Sequence, residues 1–343
     1  MTELNDEKFR DGTVILTEEN FIMYTFGYNH PIGYVISYLK YIPKKYREKF
    51  EISFIDHEWN FRDIKMIRPK ELYSPENFKS ILASFNKFFP FYIFKSDFLQ
   101  KEIFVVPRAR IKELFIPEER LELLLNKENP DSHEVLAIEL ITLLSKRSKV
   151  PIKSFGIHGS TSYEMHSSKS DIDISIYGGN NFFKVKGIIN KLVEEKLISR
   201  SIKISTDEYR KNRGIYKGVD FVFNAIRTLK ETTNEYGIYK YTPIEQVKFE
   251  CIIIDDSESI FREAIYIIKN VVLENEIKNV DVKKINQVVS MIGEFRGIAR
   301  NGDSIMGFGM IEEVNNVKTN DIFFRIIIGS GVDKEYIMPK KLD

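Results

Sequence analysis

The sequence contains a single cysteine, Cys251, among its 343 residues. An intramolecular disulfide is therefore excluded, and so is a zinc site built from several cysteines. Neither sign of charge is in excess, because 51 basic side chains are balanced by 50 acidic ones, for a net charge of +1. This balance excludes a uniformly basic nucleic-acid binder, so that any contact with nucleic acid would need a local patch.

Long apolar runs are also missing. The stretch at residues 88–94, which is broken by a proline, is among the longest, whereas roughly 20 apolar residues are needed to cross a bilayer. The first residues are polar and acidic, unlike a secretory signal. From these absences we expect a cytoplasmic protein without membrane contact.

The length and the apolar fraction of 43% are typical of a globular protein with two or three domains. Alternating apolar residues predict strands before residue 125 and again after residue 237. We therefore expect an α+β multidomain protein: a β-rich N-terminal domain (1–125), a central α/β domain (126–236) and a β-rich C-terminal domain (237–343). The C-terminal domain is predicted to be a small barrel or sandwich. Residues 261–273 permit either helix or strand.

The central segment reads as helix, strand, turn, strand, helix, strand. Asp131 and Glu134 form a capping pair for its first helix, and Asn180 or Asn181 is expected to cap its second. The strands are predicted at Phe155–His158, Asp171–Tyr177 and Tyr216–Asn224.

Asp171 and Asp173 stand two residues apart on a predicted strand, so both side chains leave the same face. The isoleucines at 172, 174 and 176 point to the opposite face and into the core. Two adjacent carboxylates repel each other and need a cation between them. Magnesium prefers such oxygen ligands, together with phosphates of a substrate. An Asp-x-Asp alone is usually a solvated turn or cap, and the surrounding pattern is what favours a site.

Two further features belong with this pair. Gly159 and Ser160 follow a predicted strand, where glycine permits close approach of the backbone to a phosphate and serine offers a hydroxyl. Asp220 lies on an apolar strand, where a carboxylate is costly unless it is paired or bound to metal.

At these residues the chain resembles the DNA polymerase β-like nucleotidyltransferase superfamily. The matching positions are Gly159, Ser160, Asp171, Asp173 and Asp220, and the resemblance covers about residues 130–230. It implies a mixed sheet with helices on one side, a Gly-Ser pair that binds the triphosphate, and three aspartates that hold two Mg²⁺ ions. The layout also looks like an uncharacterised, mainly archaeal group of predicted nucleotidyltransferases with a β-rich N-terminal extension.

The chain departs from this pattern at Tyr163, where many small members carry an arginine. The missing charge contact to the triphosphate could be supplied by Lys169, Lys184 or Arg213. His158 is interpreted as a strand-end histidine oriented by packing, and His166 as an exposed loop residue.

From the resemblance we expect transfer of a nucleoside monophosphate from an NTP to an acceptor hydroxyl, with release of pyrophosphate. Asp171, Asp173 and Asp220 would bind metal, and Asp220 would also assist deprotonation of the acceptor. The acceptor could be RNA or protein. Two alternatives stay open: a non-catalytic nucleotide- or RNA-binding module on the same fold, and an antitoxin-like enzyme that modifies a partner protein.

Overall fold

Three β-sheets follow one another along the chain in the computed structural model, which describes residues 6–72, 74–232 and 235–340. We call them the N-terminal, central and C-terminal sheets. Helices accompany mainly the central sheet. The mixed architecture fits the expected α+β multidomain class, while the domain boundaries stay predictions. Among the described residues, no helix is long and apolar enough to span a bilayer.

The N-terminal sheet has eight strands. They are β1 (Val14–Thr17), β2 (Ile22–Thr25), β3 (Tyr34–Pro43), β4 (Trp59–Phe61), β5 (Ile64–Ile67), β6 (Ile93–Ser96), β7 (Lys101–Pro107) and β8 (Ile111–Phe115). Six run in the order β4-β5-β3-β2-β1-β8, while β7 pairs with β3 and β6. Helix α1 (Pro75–Phe88) begins where the Ser74 hydroxyl accepts a hydrogen bond from the Asn77 amide. It covers one face of this sheet with aromatic packing.

The central sheet has five strands in the order β11-β12-β13-β10-β9. They are β9 (Phe155–His158), β10 (Ile172–Tyr177), β11 (Ser199–Arg200), β12 (Arg213–Tyr216) and β13 (Val219–Ile226). The helices of this part are α2 (Pro117–Leu125), α3 (Ser132–Ser148), α4 (Gly159–Ser162), α5 (Gly179–Glu194) and α6 (Asp207–Arg210). Strand β10 runs parallel to β13 and antiparallel to β9.

The long helices of the central part start differently from one another. Asp131 and Glu134 form the predicted capping box at the start of α3. The prediction of Asn180 or Asn181 as the cap of α5 is wrong, because the helix already begins at Gly179. There the Gly179 amide donates to the Glu231 carboxylate at 3.0 Å. The acceptor comes from a residue distant in sequence, which no local pattern reveals.

The predicted strand Tyr216–Asn224 is in fact the junction of two strands, β12 and β13. Lys217 and Gly218 both have positive φ, 48° and 84°, and form a two-residue turn between them. Hairpin turns of this kind require positive φ at both positions, which glycine adopts readily.

The C-terminal sheet has six strands. They are β14 (Tyr239–Asp255), β15 (Ala264–Leu273), β16 (Ile285–Ser290), β17 (Ser304–Asn316), β18 (Ile322–Ile328) and β19 (Tyr336–Pro339). Strands β14, β15, β16, β18 and β17 form a closed five-stranded barrel, because β14 also pairs with β17. The ambiguous stretch at residues 261–273 is therefore mostly strand, where alternate residues fill the barrel interior.

The core of the central part lies between one face of its sheet and helices α3 and α5. Ile174 and Phe223 from adjacent strands meet Leu140 and Ile189 from the two helices there. The even-numbered residues of β10 and the odd-numbered residues of β13 therefore point to this helical face. The opposite face is left for polar side chains.

We expect Ile174→Ala to lower the free energy of unfolding by about 2–5 kcal/mol, because the side chain is only 1% exposed and its removal leaves a cavity in the core. Ile322→Ala is the matched control, since this side chain is 45% exposed, and should cost less than about 0.5 kcal/mol. Thermal unfolding of both variants checks this, and equal losses would contradict the assignment of the core.

Candidate functional site

Asp171, Asp173 and Asp220 leave the face of the central sheet opposite to helices α3 and α5. Ile172 on β10 pairs with Phe221 on the parallel strand β13. Asp171 and Asp220, which directly precede these two residues, therefore stand side by side. Asp171 and Asp220 are each one-third exposed. All three acids therefore lie on one face of the central sheet.

The Lys203 ammonium lies between two of these acids. Its Nζ is 3.1 and 3.0 Å from the two Asp171 carboxylate oxygens and 3.4 Å from Asp220 Oδ2. The other Asp220 oxygen accepts a hydrogen bond from the Ser201 hydroxyl at 2.6 Å. Like charges on adjacent strands need such neutralisation. The two carboxylates therefore already converge on one cationic position.

Asp207 fixes the loop that carries this lysine. Its side chain is fully buried, and Oδ2 accepts hydrogen bonds from the Lys203 and Ile204 amides at 3.0 and 3.1 Å. Its other oxygen lies 3.3 Å from Arg213 Nε, and Arg213 in turn lies 3.6 Å from Asp171. One buried carboxylate thus positions both cations beside the acids.

Asp173 turns towards the predicted Gly-Ser turn, because its strand pairs with the strand that ends at His158. Gly159 has φ +62°, and a Cβ there would lie 1.8 Å from Asp173 Oδ2. Burial raises the pKa of Asp173 to about 6. The positive charge of Lys40 opposes this shift, whereas the negative charge of Asp171 adds to it. Only glycine fits beside this carboxylate, which gives the predicted turn a physical reason.

The N-terminal sheet covers the turn. Tyr24 from β2 contacts the His158 ring edge-on with centroids 4.9 Å apart, and its hydroxyl lies 3.0 Å from that of Tyr163. Burial lowers the pKa of His158 to about 3, so the ring is neutral and packed as expected. Tyr163, which replaces the expected arginine, is 2% exposed and belongs to this packing.

The donor types fit a hard divalent ion such as Mg²⁺, which binds carboxylate oxygens. Two of the three carboxylates meet at the Lys203 position, whereas Asp173 points to Gly159. The carboxylate oxygens of the three aspartates do not all lie within 4.8 Å of one another. In the described part of the chain, the possible metal ligands whose atoms do lie that close together are Asp131, Glu134 and His166.

The set of Asp131, Glu134 and His166 already has partners within the protein. The two acids form the capping box of α3, and Lys127 contacts both Glu134 oxygens at 2.7 Å. His166 bonds to Asp131 at 2.8 Å with its side chain 9% exposed. The prediction of an exposed His166 is therefore wrong, because the ring also stacks on a neighbouring histidine.

The structure distributes the other predicted nucleotide-binding residues unevenly. Ser160 is partly buried on α4 beside Gly159, and Arg213 reaches Asp171. Lys169 is exposed in the loop before β10 and stays a prediction. The prediction for Lys184 is wrong, because α5 packs on the isoleucine face and the sheet separates this lysine from the acids.

A cavity of about 1300 Å³ lies between the three sheets. Tyr38 and Arg68 of the N-terminal part, Arg227 of the central part and Arg262 of the C-terminal part contribute to its walls. Burial lowers the pKa of Lys40, next to Asp173, to about 7, and the charges of Arg68 and Arg262 contribute to this shift. Arg68 thus acts on the surroundings of Asp173 from the cavity wall.

Sequence reasoning missed Lys203, Lys40 and Asp207. Lys203 lies in an irregular loop, Asp207 begins the short helix α6 that follows it, and Lys40 lies on a strand of another sheet. Basic residues cluster in the sequence just after this loop, at positions 210, 211, 213 and 217, and they are the one signal near it.

The chain is similar to an uncharacterized protein of Methanocaldococcus jannaschii, with 24% identity over 360 aligned residues that cover 97% of this chain and all of that protein. No protein-family model matches the chain. No solved structure matches it either. Membership of the nucleotidyltransferase superfamily therefore stays a prediction.

We expect Gly159→Ala to destabilise the protein by at least about 1 kcal/mol more than Gly218→Ala. Both positions have positive φ, which costs about 1–2 kcal/mol for a side chain, but only the first adds a collision with Asp173. Chemical denaturation of the two variants measures the difference. Equal destabilisation would show that Asp173 moves aside freely.

We expect Lys203→Met to raise the affinity for Mn²⁺ by about 2- to 5-fold, because a half-exposed ion pair is worth up to about 1 kcal/mol and the ammonium competes with the ion. Lys217→Met is the control, since Lys217 pairs with Glu139 on the surface. Electron paramagnetic resonance of free Mn²⁺ gives the affinities. Unchanged affinity in Lys203→Met would mean that the lysine and the ion do not share a position.

Proposed function

We propose that the chain is a nucleotidyltransferase that moves a nucleoside monophosphate from an NTP to an acceptor hydroxyl and releases pyrophosphate. The observation that carries the proposal is the convergence of Asp171 and Asp220 on one cationic position, on the face that also holds Asp173 and the Gly159 turn. Unrelated solvated carboxylates have no reason to share one face beside a glycine that admits no side chain.

Asp171 and Asp220 would hold one Mg²⁺ in place of the Lys203 ammonium, and Asp173 would complete the set for a second. When bound, such ions neutralise phosphate charge and stabilise the attacking and leaving oxygens. Gly159 leaves room for the backbone to approach a phosphate, and the Ser160 hydroxyl is available to bind it. Arg213, 3.6 Å from Asp171, supplies a cation near the same phosphates.

Asp220 would accept the proton of the attacking hydroxyl, because it is one-third exposed and reachable by an acceptor. The Ser201 hydroxyl, 2.6 Å away, orients this carboxylate. Little covalent chemistry is asked of the protein, so that positioning and charge account for the rate.

A non-catalytic nucleotide-binding module is the second candidate, and the Lys203 ion pairs favour it. In such a module the ammonium would replace the metal permanently. The lysine is 41% exposed, however, and can swing into solvent. Titration with NTP and Mg²⁺ beside a pyrophosphate-release assay separates the two, since binding without turnover over a broad panel of acceptors would identify the module.

We expect Asp171→Asn, Asp173→Asn and Asp220→Asn each to reduce pyrophosphate release by at least about 100-fold, while the fold stays intact because a charge repulsion is relieved. Glu139→Gln, a surface carboxylate paired with Lys217, is the control and should keep wild-type turnover. The assay uses NTP, Mg²⁺ and a panel of RNA, protein and small-molecule acceptors. Wild-type turnover in any of the three asparagine variants would remove the mechanism.

A further inference from the structure

Two partly buried cations on the N-terminal part lack a counter-ion. Within residues 6–72, 74–232 and 235–340, the side chains of Lys40 and Arg68 form no hydrogen bond and no ion pair within 4.0 Å. Lys40 Nζ lies 5.2 Å from the centre of the Tyr24 ring, and the Arg68 guanidinium 6.0 Å from that of Tyr41. Arg68 Nε is buried without a hydrogen-bond partner. Such groups cost free energy unless an anion joins them.

Both cations lie close enough to Asp173 to act on its charge. Lys40 shares a strand face with Tyr38, whose partner Tyr24 packs on the Gly159 turn through His158. Arg68 lines the cavity of about 1300 Å³ and interacts electrostatically with Asp173. An anion held beside Asp173 would therefore lie within reach of the charges of both Lys40 and Arg68.

Within the described residues, no carboxylate lies within 4.0 Å of the charged nitrogens of either cation. Asp11 is already shared by Arg262, 3.6 Å away, and Arg296, 4.0 Å away. Asp173 is a single carboxylate, whereas Arg68 and the protonated form of Lys40 together bring two positive charges. A ligand with at least two negative charges would therefore pair with both groups, which the side chains around them do not.

We propose that Lys40 and Arg68 form an oligophosphate-binding site, so that the N-terminal sheet supplies the phosphate contacts of the nucleotide. The identification of the ligand as a nucleotide rests on the proposed function, whereas the anion site does not. An arginine fork beside a lysine matches several phosphate oxygens, which a single carboxylate would not fill. The site also accounts for Tyr163: the charge that the Gly-Ser turn lacks comes from the sheet packed over it.

The test is calorimetric titration of the full chain with inorganic tripolyphosphate in the absence of divalent ions. Lys40→Met and Arg68→Met should each weaken binding about 10-fold or more, because each removes a charge-assisted contact. Lys70→Met is the control, since Lys70 lines the same cavity but is exposed, and it should bind like wild type. No binding to wild type, or equal binding by all four proteins, would overturn the proposal.

Thermal unfolding distinguishes a binding role from a structural one. Lys40→Met removes a cation without a counter-ion, so the ligand-free variant should unfold at the same or a higher temperature than wild type. The rise in unfolding temperature on addition of tripolyphosphate should shrink in this variant. A lower unfolding temperature with an undiminished rise would show that Lys40 is structural, and would overturn its place in the site.

The outcomes separate this inference from the proposed function. Tripolyphosphate binding that depends on Lys40 and Arg68, without nucleotidyl transfer by the wild type, would support the anion site and refute the enzyme. Transfer that depends on Asp220 but survives unchanged in Lys40→Met and Arg68→Met would support the enzyme and refute the anion site.

Discussion

Electrostatic repulsion between Asp171 and Asp220 is the constraint on which the candidate site depends. The parallel pairing of β10 with β13 places both carboxylates side by side, and the isoleucines of β10, which point to the helices, fix the face. Such an arrangement persists only if a cation lies between the acids. The fold supplies one from Lys203, on a loop anchored by the buried Asp207. A lysine of the chain itself therefore neutralises the acidic face. A metal ion can take its place, because the lysine is half exposed.

The two outer sheets take unequal parts in the site. The N-terminal sheet packs directly on the Gly159 turn through Tyr24 and brings Lys40 to the edge of the acidic face. The C-terminal barrel contributes Arg262 to the cavity wall. The site is therefore assembled from distant parts of the sequence, and the central sheet alone holds only the acids and the turn.

The sequence was sufficient for features that depend on local periodicity. Alternation along β10 placed Asp171 and Asp173 on one face, and Asp131 and Glu134 marked the start of α3. It was not sufficient where a contact joins residues far apart in the chain. Lys203 and Lys40 carry no pattern that points to the acids, and Lys184 was misplaced because a helix periodicity does not tell which face of a sheet it covers.

The cover formed by the N-terminal sheet also bears on how the protein can be divided. Tyr163 and Met165 are 2% and 6% exposed, in a cluster with Phe115 and Tyr24. A fragment that started near residue 126 would present these apolar side chains to water, and such patches promote aggregation. It would also lose the cations that face the turn. A lack of activity in such a fragment would reflect the loss of the N-terminal sheet. The smallest unit suited to biochemistry therefore extends back to the first strand.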